Sequence, residues 1–401
     1  MPNASPAPVT TPVTAVPTAR AAVRALSNSK IREVANAGMG RAGVLPFWFG
    51  EPDQVTPEFI RQAAIDSINA GETFYNQNFG IPPLREALAD YTTRLHGATT
   101  PDSIAVTSSG MSALMHVFQA LIGPGDRVVA VTPLWPNLIE GPRVLGAEVL
   151  RVGLDFDARR GFHLDLDRLL EALTPATRML IVNSPGNPTG FTLGREEQTA
   201  ILAHCRRHGI WILADDAYER IVFEGQGAAA PSFLDLAHRD ERVVSANTFS
   251  KSWLMTGWRL GWVTGPAGLI EDIGKLIEYN TSCAPTFVQR AGVVAVRDGE
   301  ATTRGFVARL KHARDRLHAQ LAGIDGIEAV APAGAMYAFF RVAGVTDTLA
   351  LCKRLVAEQG LGLAPGIAFG PESEGFVRWC FAASDANLDE GVARLKRGLA
   401  R

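Results

Sequence analysis

Residues 178–216 read RMLIVNSPGNPTGFTLGREEQTAILAHCRRHGIWILADD: two short apolar runs, RMLIVNSP and GIWILADD, with a longer helix-patterned segment between them. Short apolar runs closed by turn formers read as buried strands, and a helix between two of them is the connection that parallel neighbours use. The same rhythm recurs in SIAVTSS (103–109), DRVVAVTP (126–133), AEVLRVGL (147–154) and ERVVSANT (241–248). Together these runs predict an α/β fold, with a three-layer α/β/α large domain around a mostly parallel sheet. Ligands of such sheets gather beyond the carboxyl ends of the strands. Four of those ends are polar: Ser108-Ser109-Gly110, Asn183 to Gly190, Asp215-Asp216, and Thr248 to Lys251.

After about residue 286 the pattern changes to a charge-laced helical stretch, FVARLKHARDRLHAQLAGI, followed by GIEAVAP, GAMYAFFRV and a closing helix. This predicts a second, smaller α+β domain built from N- and C-terminal segments, because VLPFWFGEPD (44–53) is expected to pack against it. The expected divisions are a flexible tail over 1–25, rich in Pro, Thr and Ala, an N-terminal segment over 26–60, a large domain over 61–286 and a small domain over 287–401.

The chain has 401 residues, 47% of them hydrophobic, enough for more than one core. Its 39 basic and 41 acidic residues leave a formal charge of -2, too weak a field to draw nucleic acid or an anionic membrane. No stretch approaches the roughly 18 to 20 apolar residues that span a bilayer, and the N-terminus lacks the apolar run of a secretory signal. Cys205, Cys283, Cys352 and Cys380 are scattered without ligand-like spacing, which fits a reducing, cytoplasmic setting.

Several tempting motifs are read as structural. His204 and His208 have the spacing of a metal pair, but they end a basic helix ahead of Gly209, where the dipole favours cations. GLGLAPG (360–366) carries Pro365 and no following helix, so it is no dinucleotide loop. GMSAL (110–114) has Leu114 where a nucleophile elbow needs glycine.

Lys251, in NTFSKSWLMTGWRLGW (247–262), is different. Its base-rate reading is an exposed loop lysine. Yet it follows a strand end and has Thr248, Ser250 and Arg259 for company. The turn Ser109-Gly110-Met111 opens a helix whose free N–H groups form an anion site, and Thr248, Ser250 and Arg259 would complete a cup for one phosphate. Asp215 closes a buried strand and calls for a cationic partner, such as a protonated ring nitrogen. Asn187 and Tyr218 could donate to a ring oxygen, and Trp135 could stack on the ring. A flat ring with a basic nitrogen, a phenolic oxygen, a phosphate and a carbon open to lysine attack is pyridoxal 5′-phosphate.

From about residue 30 onward the chain resembles the fold-type I, class I/II aminotransferases, a superfamily that includes aspartate aminotransferase. SKSWLMTGWRLGW matches the family's lysine signature, and FGEPDQVTP, FYNQNFGIPPLREAL, NSPGNPTG, DDAY and GFVRWCFA match its other blocks. The resemblance implies Lys251 as the Schiff-base lysine and acid/base, Asp215 on the pyridine nitrogen, and Tyr218 and Asn187 on the phenolic oxygen. Ser109, Gly110, Met111, Thr248, Ser250 and Arg259 would hold the phosphate and Trp135 the ring. It further implies Arg378 on the substrate α-carboxylate with Gly50 as a backbone donor beside it, and Tyr75 reaching the phosphate of a neighbouring subunit, hence a homodimer with shared sites.

Met111 stands where relatives acting on acidic substrates carry a lysine, and Glu278 offers no cation. The substrate pocket is therefore expected to be apolar, lined by Trp48, Phe49 and Met111, and the donor to be a neutral aliphatic or aromatic amino acid. The same fold also serves C–S lyases and other Cα chemistry, which product analysis separates from transamination. A regulator with a DNA-binding head is disfavoured by the short segment before the fold.

Overall fold

A computed structural model describes residues 18–223 and 227–400. Its centre is a seven-stranded sheet. In chain order the strands are β1 (Ile104–Thr107), β2 (Arg127–Thr132), β3 (Glu148–Gly153), β4 (Thr177–Asn183), β5 (Trp211–Asp215), β6 (Val243–Thr248) and β7 (Gly261–Thr264). In space they run β1-β7-β6-β5-β4-β2-β3. All neighbours pair in parallel except β7, which is antiparallel to both β1 and β6.

The six strands expected from the apolar runs are all present. β7 has no comparable signal, being four residues long and opening on a glycine. It is held by its neighbours: Gly261 pairs with Thr107 on one side and Thr248 on the other.

Alternate residues of the central strands enter different cores, which is what produces three layers. Val128, Ala130, Met179, Ile181 and Leu213 pack with helices Gly110–Leu121 and Ala267–Glu278. Val129, Leu180, Val182 and Ile212 pack on the other face with helix Arg195–His208. That helix starts where Gly194 N–H donates to Glu197 Oε2 at 2.8 Å and stops at Gly209, whose φ of 66° only glycine adopts freely. His204 Nε2 lies 2.7 Å from Leu173 O, so the histidine is already engaged by the backbone.

A second sheet follows, with strands β8 (Ile327–Glu328), β9 (Tyr337–Val342), β10 (Ala364–Pro365) and β11 (Phe376–Cys380) in the order β8-β9-β11-β10, all antiparallel. Leu45–Pro46 pairs in parallel with Leu361–Gly362, and the Phe47 ring lies 4.8 Å from that of Trp379. Helices Lys30–Gly38, Glu300–Leu321 and Asp385–Leu399 close the same core. The α+β layer thus draws on both ends of the chain, as its discontinuous pattern predicts.

Three expected limits meet structure that local pattern does not reveal. Residues 1–17 of the tail lie outside the described residues, but Ala21–Arg24 is a helical turn, and Arg20 donates to Val144 O at 3.0 Å. The limit at 60/61 falls inside helix Glu58–Asn69. The limit at 286/287 falls at the start of helix Thr286–Asp298, whose Val288, Ala291 and Ala295 share a core with Ile60, Ala64 and β1. Among the described residues no helix is long and apolar enough to cross a membrane.

Candidate active site

Sheet register lines up the polar strand ends. Asn183 pairs with Asp215, and Asp215 with Ala246, two residues before Thr248. Beyond them opens a cavity of about 620 Å³ lined by Met111, Trp135, Asn187, Asp215, Tyr218 and Lys251, among others.

One end of the cavity is built for an anion. Ser109 caps helix Gly110–Leu121 through its Oγ, which accepts from Ser112 N–H at 3.0 Å. Its φ of 133° lies where L-residues are strained, a conformation that aims the helix start at the cavity. The N–H groups of Gly110 and Met111, in the first turn, have no intrahelical partner. Close approach demands two glycines here: a Cβ on Gly110 would meet Thr248 Cβ at 2.9 Å, and one on Gly261 would collide with the Gly110 backbone. Thr248 Oγ1 and Ser250 Oγ are 2.9 Å apart. The Arg259 guanidinium donates to Thr256 O at 2.7 Å and has no acidic partner among the described residues.

Asp215 is 6% exposed, and burial raises its carboxyl to about 6, against the lowering pull of the Ala217 N–H at 3.2 Å and of Lys251. It makes no ion pair among the described residues. Lys251 is half-buried, and its Nζ donates to Gly50 O at 2.6 Å. Burial brings this amine down to about 8. Tyr218 and Tyr337 hydroxyls meet at 2.5 Å, both groups raised by burial.

The Arg378 guanidinium is buried on β11. It donates to Asn187 Oδ1 at 2.9 Å and to Trp48 O, and stacks 4.5 Å from the Tyr337 ring centroid. Its Nε has no hydrogen-bond partner among the described residues.

The structure corrects or qualifies several expectations. Trp48 does not line the cavity, because its ring is wedged in the second core, where a Cβ on Gly362 would collide with it; its contribution is the carbonyl that holds Arg378. Gly50 presents its carbonyl to Lys251, and no side chain fits at this position beside Tyr337 Oη. Phe49, Met111 and Trp135 line the cavity. Tyr75 is 90% exposed and is not brought to the cavity of its own chain; Glu278 is exposed at a helix end. The sequence reading missed Tyr337, Asn183 and Arg32, all lining the cavity. Asn183 sits in a strand end already noted as polar, whereas Tyr337 and Arg32 carry no local signal. Among the described residues no group of three His, Cys, Asp or Glu could hold a metal ion.

The family described as Aminotransferase class I and II matches residues 43–395. This chain belongs to that family. Across 383 residues the aminotransferase is 34% identical to an aspartate/prephenate aminotransferase of Thermus thermophilus, covering 93% of this chain and 95% of that one. It is 31% identical to an aromatic-amino-acid aminotransferase of Thermococcus litoralis, over 92% of this chain and 95% of that one. Its fold superposes on the structure of aspartate aminotransferase from Thermus thermophilus with maleate at a TM-score of 0.87, with 33% identity, 96% of this chain and all of the other covered.

Aminotransferases of this class depend on pyridoxal 5′-phosphate. The cavity fits that cofactor on three counts: a buried carboxylate and an arginine, neither with an ionic partner among the described residues, a glycine-lined helix start in the same cavity as that arginine, and a lysine amine drawn towards neutrality.

Proposed function

We propose that the protein transfers an amino group from a neutral, aliphatic or aromatic L-amino acid to a 2-oxo acid, 2-oxoglutarate or pyruvate, by a ping-pong route centred on Lys251. The observation that carries this reading is the meeting of the Lys251 amine, the Asp215 carboxylate and the Arg378 guanidinium in one cavity.

Bound pyridoxal phosphate supplies a carbon that amines attack and a ring that withdraws electrons. Asp215 would hold a proton on the ring nitrogen, and that cation would in turn compensate the burial of the carboxylate. Tyr218 and Asn187 would orient the phenolic oxygen, and Trp135, which lines the same cavity, would stack on the ring. Ser109, Gly110, Met111, Thr248, Ser250 and Arg259 would hold the phosphate. Arg378, positioned by Trp48 O and Asn187, grips the substrate α-carboxylate beside Gly50. Lys251, near 8, takes the proton from the substrate Cα and returns it later in the cycle. Tyr75, 90% exposed, would reach the phosphate of a partner subunit in a homodimer with shared sites. The four unpaired cysteines support a cytoplasmic setting.

Phe49 and Met111 support a neutral donor. A second reading, an acidic substrate, is favoured by one observation: Arg32 lines the cavity, has no acidic partner among the described residues and lies 4.8 Å over the Phe49 ring. In the neutral-donor reading this guanidinium serves the far carboxylate of 2-oxoglutarate.

In Lys251→Ala both the visible absorption band of the loaded protein and turnover disappear; full turnover in that variant sinks the role of Lys251. In a screen of amino donors against the loaded enzyme, leucine, methionine and phenylalanine discharge the band faster than aspartate. Aspartate ahead by a wide margin overturns the donor class in favour of the Arg32 reading.

A further inference from the structure

Beside the active-site cavity lies a second one of about 540 Å³, and Ser29, Met111 and Asn137 line both. At this shared wall Asn137 Nδ2 donates to Met111 Sδ at 3.3 Å. A thioether is a weak acceptor, and an unbranched methionine side chain re-packs readily, so this partition yields to an incoming apolar group.

The direction of the opening follows from the helix. Met111 is the second residue of helix Gly110–Leu121, whose start faces the anion cradle. Met115, one turn further on, lies on the same helix face and lines the second cavity but not the first. The second cavity therefore extends along the helix, away from its phosphate-facing end.

Its charges are already compensated. Lys30 pairs with Glu33 at 3.0 Å, Arg143 with Glu140 at 3.0 Å and Arg151 with Glu372 at 2.7 Å. Among the described residues no unpaired cation lines it, and Arg32 belongs to the first cavity alone. A carboxylate carried into this space would meet no unpaired cation, only the hydroxyl and amide groups of Ser27, Asn28, Ser29 and Asn137 in exchange for water, whereas a hydrocarbon chain would lie against Met115, Ile139 and Phe369.

We propose that this second cavity is a side-chain chamber of the substrate site, entered past Met111 and Asn137, and that it takes long, neutral, unbranched side chains. The proposal rests on the neutral-donor aminotransferase reading and extends it from an apolar pocket to a chamber with reach.

The test uses the holoenzyme and straight-chain L-2-amino acids from 2-aminobutyrate to 2-aminooctanoate, with 2-oxoglutarate as acceptor. Each methylene that leaves water for an apolar wall raises kcat/KM by about fourfold, so the series climbs to its longest member. In Met115→Trp the indole fills the chamber, and the ratio of the longest to the shortest donor falls by about tenfold or more. In Met115→Ala the ratio is kept or increased, and this variant stands in should the tryptophan variant not fold. A wild-type series that levels off at 2-aminopentanoate overturns the proposal, as does a series unchanged by Met115→Trp. An enzyme that accepts aspartate and none of the series instead sinks the neutral-donor reading itself, a result separable from a plateau.

Discussion

Lys251 and Asp215 share a cavity in which burial pushes each towards its neutral form, the amine down to about 8 and the carboxyl up to about 6. Because the folded Asp215 value lies above the ordinary 3.8, the folded protein binds that proton more tightly than the unfolded chain does. Its relative stability is full below pH 4 and is lost as pH rises through 6, a cost of about 3 kcal/mol once the group is ionised. Asp215→Asn in the cofactor-free protein is therefore expected to raise the unfolding free energy at pH 8 by up to that amount, with the gain shrinking towards pH 5. The same variant should bind pyridoxal phosphate more weakly, since the ring nitrogen loses its charged partner. Denaturant titrations at the two pH values, with cofactor binding followed by absorbance, check both signs.

At the scale of elements, Asp215 at the end of β5 and Tyr218 in the turn after it are braced from behind by a buried polar cluster. His96 lies 2.8 Å from Asp235 Oδ1 and 3.0 Å from Glu219 Oε2, while Tyr91 donates to Glu219 Oε1 at 2.7 Å. Asp216, next to the Asp215 carboxylate, accepts from Ser245 at 2.6 Å; burial and nearby Glu219 raise it. Burial draws His96 down, but its two carboxylate partners prevail and lift it to about 10. A folded value above the ordinary 6.5 means that this stabilisation is complete below pH 6.5 and is lost as pH climbs through 10. His96→Gln should cost about 3 kcal/mol near pH 6.5, because it takes the cation from the buried Glu219 carboxylate while Asp235 keeps Arg195 at 2.5 Å, and the gap to the wild type should narrow towards pH 10. A gap that widens with pH would contradict the pairing. None of this cluster was visible in the sequence: His96 lies 123 residues from Glu219 and 139 from Asp235.

For the molecule as a whole, Phe74, Tyr75 and Tyr279 are 83%, 90% and 91% exposed, an amount of bare aromatic surface that a partner would cover. Sedimentation should show a particle of twice the 43.0 kDa chain mass. Tyr75→Phe should leave that mass unchanged and weaken pyridoxal phosphate by about tenfold, the worth of one hydrogen bond to a charged group. A monomer that binds the cofactor at full strength would remove both the dimer and the role of Tyr75.

What the sequence by itself determined is local in origin. Continuous apolar runs specify six of the seven central strands, and polar residues that follow those runs must lie at one edge of a parallel sheet, which brings Gly110, Asn187, Asp215 and Lys251 to one cavity. β7, four residues opening on Gly261, exists only because β1 and β6 flank it. The tertiary structure alone decided that Trp48 gives the site its carbonyl and not its ring, since only packing against Gly362 reveals where the indole goes. It likewise decided that Arg378 meets Asn187 across 191 residues, Lys251 meets Gly50 across 201 and Tyr218 meets Tyr337 across 119. Such pairings join strand ends of one sheet to segments of another, and contacts between residues so far apart in the chain leave no periodicity to read.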